Sequence, residues 1–147
     1  MGTVYAEITL KNAGDLVRAR DGCLREQELR KTSVNAVVDT GAVTLVISDE
    51  LCEKLGLEIQ DIVEVTLANN AKETCKIAEA VEIQWKQRKS ICRPWVLPGT
   101  EEVLLGAIPL EDMDLMVDPR NQELIGRHGD KQLGIIYQAN RGSSFNA

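Results

Sequence analysis

Val4, Ala6, Ile8 and Leu10 alternate with Tyr5, Glu7, Thr9 and Lys11, a period of two that turns one face of a strand toward a core and the other toward water. Turn formers follow at once. Asn12-Ala13-Gly14-Asp15 and Arg20-Asp21-Gly22 bracket residues 16–19, which predicts a meander of short antiparallel strands with Asp-Gly at one hairpin tip. A short apolar run over 35–38 stops at Asp39. Ser48-Asp49-Glu50-Leu51 opens the best helix candidate, because Ser48 can cap it and acids in a first turn suit the helix dipole. Gly56 ends it. Residues 63–68 and 74–83 predict two strands joined across Asn69-Asn70-Ala71-Lys72, where asparagine tolerates left-handed backbone angles. Trp95-Val96-Leu97, Val103-Leu104-Leu105 and Leu115-Met116-Val117 read as further short buried strands. A helical turn or two at 109–113 separates the last two. Residues 133–137 predict one more strand, and from Arg141 on the chain reads as a frayed end. The chain is mostly β, without an internal repeat or a linker.

Composition narrows the kind of protein this is. At 147 residues one domain is the default, and a domain of that size buries roughly 68–70% of its unfolded surface. With 44% apolar and 27% charged residues it has the balance of a globular chain, neither disordered nor membrane-embedded. Only 3% is aromatic, so the core must be aliphatic and there is little surface on which bases could stack. A formal charge of −6 repels phosphate backbones and anionic membranes. Nucleic acid and membrane are therefore not expected as partners. Cys23, Cys52, Cys75 and Cys92 form no Cys-x-x-Cys pair and His128 stands alone, so no metal site is expected and the cysteines read as reduced, mostly buried thiols. The first residues lack a basic, apolar leader, and Ala6 replaces the Ser or Thr of a myristoylation signal. The expected location is cytoplasmic.

The chemistry centres on Val38-Asp39-Thr40-Gly41-Ala42. Hydrolysis of an amide without a metal or a covalent intermediate needs a base to activate water and an acid to protonate the carbonyl oxygen or the leaving nitrogen. Two carboxylates about 3 Å apart supply both, since they cannot both ionise. Gly41 lets its own N–H approach the carboxylate, Thr40 offers a hydroxyl to tie the loop down, and Ala42 is small where a pocket would begin. Asp-Thr-Gly alone is also what a tight turn after a strand looks like. Its setting adds weight: an apolar run into Asp39, another over 43–47, a short helix ending in Leu55-Gly56-Leu57, and about sixty residues later Val103-Leu104-Leu105-Gly106 before a second short helix.

This order and spacing, over roughly residues 4–119, resemble the retropepsin-like aspartic peptidases, single-domain enzymes that include retroviral proteases and bacterial relatives. The resemblance implies a closed retropepsin-like β-barrel with one or two short helices, working as a homodimer without a cofactor on a peptide or protein substrate. It implies that Asp39 is the catalytic carboxylate, that Thr40 cross-links two active-site loops at the dimer axis, and that Gly41 offers a carbonyl to substrate. The hairpin at 65–76 falls where the family has a substrate-covering flap, with Asn69, Asn70 and Ala71 at its tip. Leu104 and Gly106 match the strand and break that wall the cleft. Three features depart from viral members: the tip has no glycine, Val43 and Ala107 replace an Asp–Arg ion pair, and the tail beyond Pro119 has no counterpart.

The chain holds one copy of the motif. Asp118-Pro119 is no substitute, because proline has no N–H to offer. The second carboxylate is therefore expected from Asp39 of another copy, about a two-fold axis. Residues 1–126 are taken as the protease domain and 127–147 as a partly flexible extension. Glu102 and Leu104 are expected on one face of a strand, an acid beside an apolar pocket. Other readings are weaker. Glu111, Asp112, Asp114 and Asp118 scatter over several faces and read as a solvated surface. Cys52 with His128 reads as a buried cysteine, not a nucleophile, and Lys86-Gln87-Arg88-Lys89 as a strand-end turn. The rival class is a dimerisation or peptide-binding module of the same fold without activity.

Overall fold

The structure is a computed structural model and describes residues 2–132; the strand expected at 133–137 lies outside them. Strand β1 (Tyr5–Asn12) is central, pairing antiparallel with β2 (Lys31–Val38) on one side and β6 (Val81–Trp85) on the other. The alternation read from the sequence holds: Val4, Ala6, Ile8 and Leu10 are buried, and Tyr5 and Glu7 are exposed. Residues 16–19 depart from the expected meander. They lie in a helix, α1 (Ala13–Arg20), because the Asn12 side chain accepts the Asp15 N–H at 3.0 Å and so acts as a helix cap rather than a turn residue.

Helix α2 (Asp49–Lys54) begins as expected, with Ser48 Oγ accepting the Leu51 N–H at 3.2 Å. It stops at Gly56, whose φ of +65° is a left-handed angle. Strands β4 (Ile59–Thr66) and β5 (Lys72–Ala78) form the predicted hairpin. The single strand expected over 74–83 is two. At Glu79-Ala80 the chain leaves β5 and crosses to β1, where Ala80 O accepts the Ala13 N–H at 3.1 Å, and β6 starts at Val81. A tight turn at Lys86 (φ 53°) leads into β7 (Arg88–Cys92), so Arg88 and Lys89 belong to a strand and not to the turn.

Short strands β3 (Val46–Ile47), β8 (Trp95–Val96) and β9 (Leu104–Leu105) complete the main sheet. Its nine strands run β4-β5-β8-β3-β9-β2-β1-β6-β7. Among the described residues the order is linear, with β4 and β7 at its ends, which makes a curled half-barrel sheet without the closure the resemblance implied. The described residues hold three α-helices, one more than expected, since α3 (Ala107–Asp112) follows β9 and α1 is additional. Strands β10 (Leu115–Asp118) and β11 (Glu123–Gly126) form a separate two-stranded sheet. The core is aliphatic: Ile8, Leu10, Leu45, Ile47, Leu55, Ile83, Leu105, Met113 and Leu115 are withdrawn from solvent. No described helix is long and apolar enough to cross a membrane.

Candidate active site

Asp39 leaves the end of β2 into a turn fixed on three sides. Its N–H donates to Leu105 O at 3.0 Å, its carbonyl accepts from Ala42 N at 3.1 Å, and its Oδ1 accepts from Gly41 N at 2.9 Å. The fit is close: a Cβ on Gly41 would sit 3.2 Å from that oxygen and would press the carboxylate aside by a few tenths of an ångström. Asp39 is half-buried, while Thr40 and Gly41 are exposed. The carboxylate is thus aimed by the backbone and presented at the surface.

Strand β9 is what closes the loop from behind. It lies between β2, to which it is parallel (Val37↔Leu104, Val38↔Leu105), and β3, to which it is antiparallel (Val46↔Leu104). Leu105 and Gly106 therefore lie against the backbone of the Asp39 turn, with Leu104 one position earlier, beside Val37. Gly106 is there for want of space: a Cβ would run into Thr44 O and lie 2.5 Å from Ala42 O and 2.8 Å from Thr44 N. Two further bonds join α3 to the loop, Ala107 N to Ala42 O at 2.8 Å and Ile108 N to Val43 O at 2.9 Å. Backbone bonds thus join the segment after Asp39 to the start of α3. Thr44 is buried within an otherwise apolar run, with its backbone against Gly106 and its side chain hydrogen-bonded to the Cys92 thiol.

Asn69, Asn70 and Ala71 form the tip of the β4–β5 hairpin. Asn70 takes φ 65°, its N–H donates to Leu67 O at 2.9 Å, and Asn69 Oδ1 accepts from Ala71 N at 3.0 Å. Asparagine supplies the left-handed angle that a glycine would otherwise give. The hairpin joins the sheet only at its base, where Lys76 and Ile77 pair with Val96 and Trp95. Val63, Val65 and Leu67 are half-buried along one face, with Ile62, Glu64 and Thr66 exposed on the other.

Glu102 does not share a strand with Leu104. Strand β9 begins at Leu104, and Glu102 lies in the bend before it, with Oε1 accepting from Tyr5 Oη at 3.3 Å. Of the acidic cluster, Asp114 is buried against His128 (2.7 Å) and Arg127 (3.8 Å), and Asp118 caps the turn at Arg120 and Asn121. Cys52, Cys75 and Cys92 have thiols pushed up by burial, and Cys23 is exposed. Cys52 is thus a weak nucleophile. A recess of about 250 Å³ beside Thr40 is lined by Ala107, Leu110, Met116, Val117 and Arg127. A larger one, about 900 Å³, lies over β1, β2 and β6 between Thr9, Ser33, Gln84 and Lys86, and holds none of the Asp39 turn.

Comparison with known proteins agrees with this geometry. No curated protein matches the chain in sequence. Among solved structures, the retroviral protease-like domain of Ddi1 from Leishmania major superposes with a TM-score of 0.54 at 12% identity, covering 95% of this chain and 98% of that one. At that identity the likeness shows the fold, which is retropepsin-like. The model of the family described as "gag-polyprotein putative aspartyl protease" matches residues 26–112, which hold the Asp39 turn, the β4–β5 hairpin, β9 and α3. The chain belongs to this family of retroviral-type aspartyl proteases.

Proposed function

We propose that the chain is an aspartic endopeptidase in which two copies each supply one Asp39. The observation that carries this is the Gly41 N–H held 2.9 Å from Asp39 Oδ1 on an exposed turn, in a chain with a single Asp-Thr-Gly. A two-fold axis beside Thr40 brings the second carboxylate alongside the first. Two such groups share one proton. The ionised carboxylate takes a proton from water as it attacks the scissile carbonyl, and the protonated one gives its proton to the carbonyl oxygen. Proton transfer to the nitrogen then lets the C–N bond break. In this reading Thr40 ties the two turns together, the Gly41 carbonyl holds the peptide, Leu104 walls the cleft, and the β4–β5 hairpin closes over the substrate and excludes water. The free thiols suit a reducing, cytoplasmic setting.

The test is Asp39→Asn, which keeps the shape and removes the base. Loss of acid–base assistance costs ~10²–10⁴-fold, so hydrolysis of a mixed peptide library should vanish with the fold intact. Peptide mimics carrying a central hydroxyl should bind the unmutated chain more tightly than Asp39→Asn. Unchanged turnover, or inhibition by chelators and thiol reagents but not by hydroxyl mimics, would overturn the proposal.

A further inference from the structure

Arg88 opens β7 with a side chain almost withdrawn from water, 7% exposed, and its partners are backbone carbonyls. Nη1 donates to Met113 O at 3.0 Å and to Asp114 O at 2.8 Å, and Nη2 donates to Gly129 O at 2.7 Å. A buried charge is tolerated when it is hydrogen-bonded. Two of these carbonyls lie just past the end of α3, where the peptide dipoles favour a cation. Gly126 completes the seat, since a Cβ there would collide with Nη2.

The opposite end of α3 is tied to the Asp39 turn. Ala107 and Ile108 donate to Ala42 and Val43, and Gly106 lies against the backbone of Ala42 and Thr44. The helix between the two ties is six residues long, about 9 Å at the usual rise. A single short helix is stiff over that length. A movement of its last turn is therefore passed to its first, and from there to the carbonyls of the turn that aims the carboxylate.

We propose that Arg88 is a positioning residue for Asp39, acting through α3. Its effect on catalysis rests on the two-copy reading above; its effect on the geometry of the turn does not. Arg88→Met removes the three bonds and keeps most of the packing, and Arg88→Lys keeps a charge that reaches part of the seat.

The experiment measures backbone amide exchange and peptide hydrolysis on the full chain. In Arg88→Met the amides of Gly41, Ala107 and Ile108 should exchange at least ~10-fold faster while the β1–β2 ladder keeps its protection. kcat should fall by roughly 10–100-fold with KM within about twofold, as expected for a catalytic group displaced by up to about an ångström, and Arg88→Lys should recover part of the loss. A merely structural arginine would speed exchange throughout the sheet and lower activity only with the folded fraction. Wild-type kcat in Arg88→Met, or exchange raised equally across β1 and β2, overturns the proposal. Should Arg88→Met not fold, Arg88→Lys carries the same test with smaller effects. Should the unmutated chain cleave no peptide, the two-copy reading fails alone, and the exchange pattern decides: local acceleration at the three amides upholds the positioning role, and its absence overturns it.

Discussion

Asp15→Asn removes a carboxylate that is 1% exposed and held by two arginines. Arg30 Nε and its backbone N–H donate to Oδ2 at 2.8 and 3.0 Å, Arg30 Nη2 donates to Oδ1 at 2.9 Å, and Arg18 Nη1 donates to Oδ1 at 2.6 Å. The Arg30 side-chain bonds hold the carboxyl down, from its ordinary 3.8 to about 2, against burial, which pushes it up. That gap amounts to about 2 kcal/mol of preference for the ionised form in the folded state. Both arginines are half in water, 53% and 45% exposed, so screening trims the figure to about 1–2 kcal/mol. Because the folded value is the lower one, this stability is complete above about pH 4 and is lost as the pH falls from there to about 2. Urea unfolding at one fixed protein concentration should therefore show Asp15→Asn less stable by about 1–2 kcal/mol at pH 7, with the difference closing by pH 2. A difference that stays constant from pH 7 to pH 2, or none at pH 7, would refute the ion-pair account.

Gly106→Ala should destabilise by about 2–3 kcal/mol, because the new methyl meets backbone that cannot swing away; an unchanged melting point in a thermal scan would contradict the close fit. Asn70→Pro removes the N–H given to Leu67 O and forbids the positive φ, so turnover should drop more than stability, whereas Asn70→Gly should leave both within about 0.5 kcal/mol. Equal kinetics for Asn70→Pro and the unmutated chain would remove the flap role. Iodoacetamide at neutral pH should label exposed Cys23 well before Cys52, Cys75 and Cys92, whose burial raises their thiol pKa values; peptide mapping showing Cys52 modified first would reverse that order.

Features set by neighbours in sequence were legible. The alternation in β1, the Ser48 cap, the asparagine tip and the Asp39-Thr40-Gly41 turn each depend on residues a few positions apart, and the structure has them where the pattern puts them. Features set by distant partners were not. Asn12 followed by Gly14 and Asp15 suits a turn or a helix start equally, because an asparagine side chain can bond backbone in either. Ala78 and Val81 are both buried, so the apolar run hid the crossing between β5 and β6. Strand β7 inverts the usual rule, with Arg88 and Ser90 inside and Lys89 and Ile91 outside, and it reads as polar surface until Met113, Asp114 and Gly129 are seen to receive the arginine. Glu102 failed for a related reason: strand β9 is only two residues long, too short to carry the expected face.

The central claim, that two copies of Asp39 form one site, is tested most directly by subunit mixing. Unmutated chain and Asp39→Asn are combined in equal amounts, allowed to exchange fully, and assayed against a cleaved peptide. If both carboxylates are required, random pairing leaves half of the unmutated chains in mixed, inactive dimers, and about half of the starting activity survives. Full retention of the starting activity after verified exchange would show that one Asp39 suffices and would contradict the account.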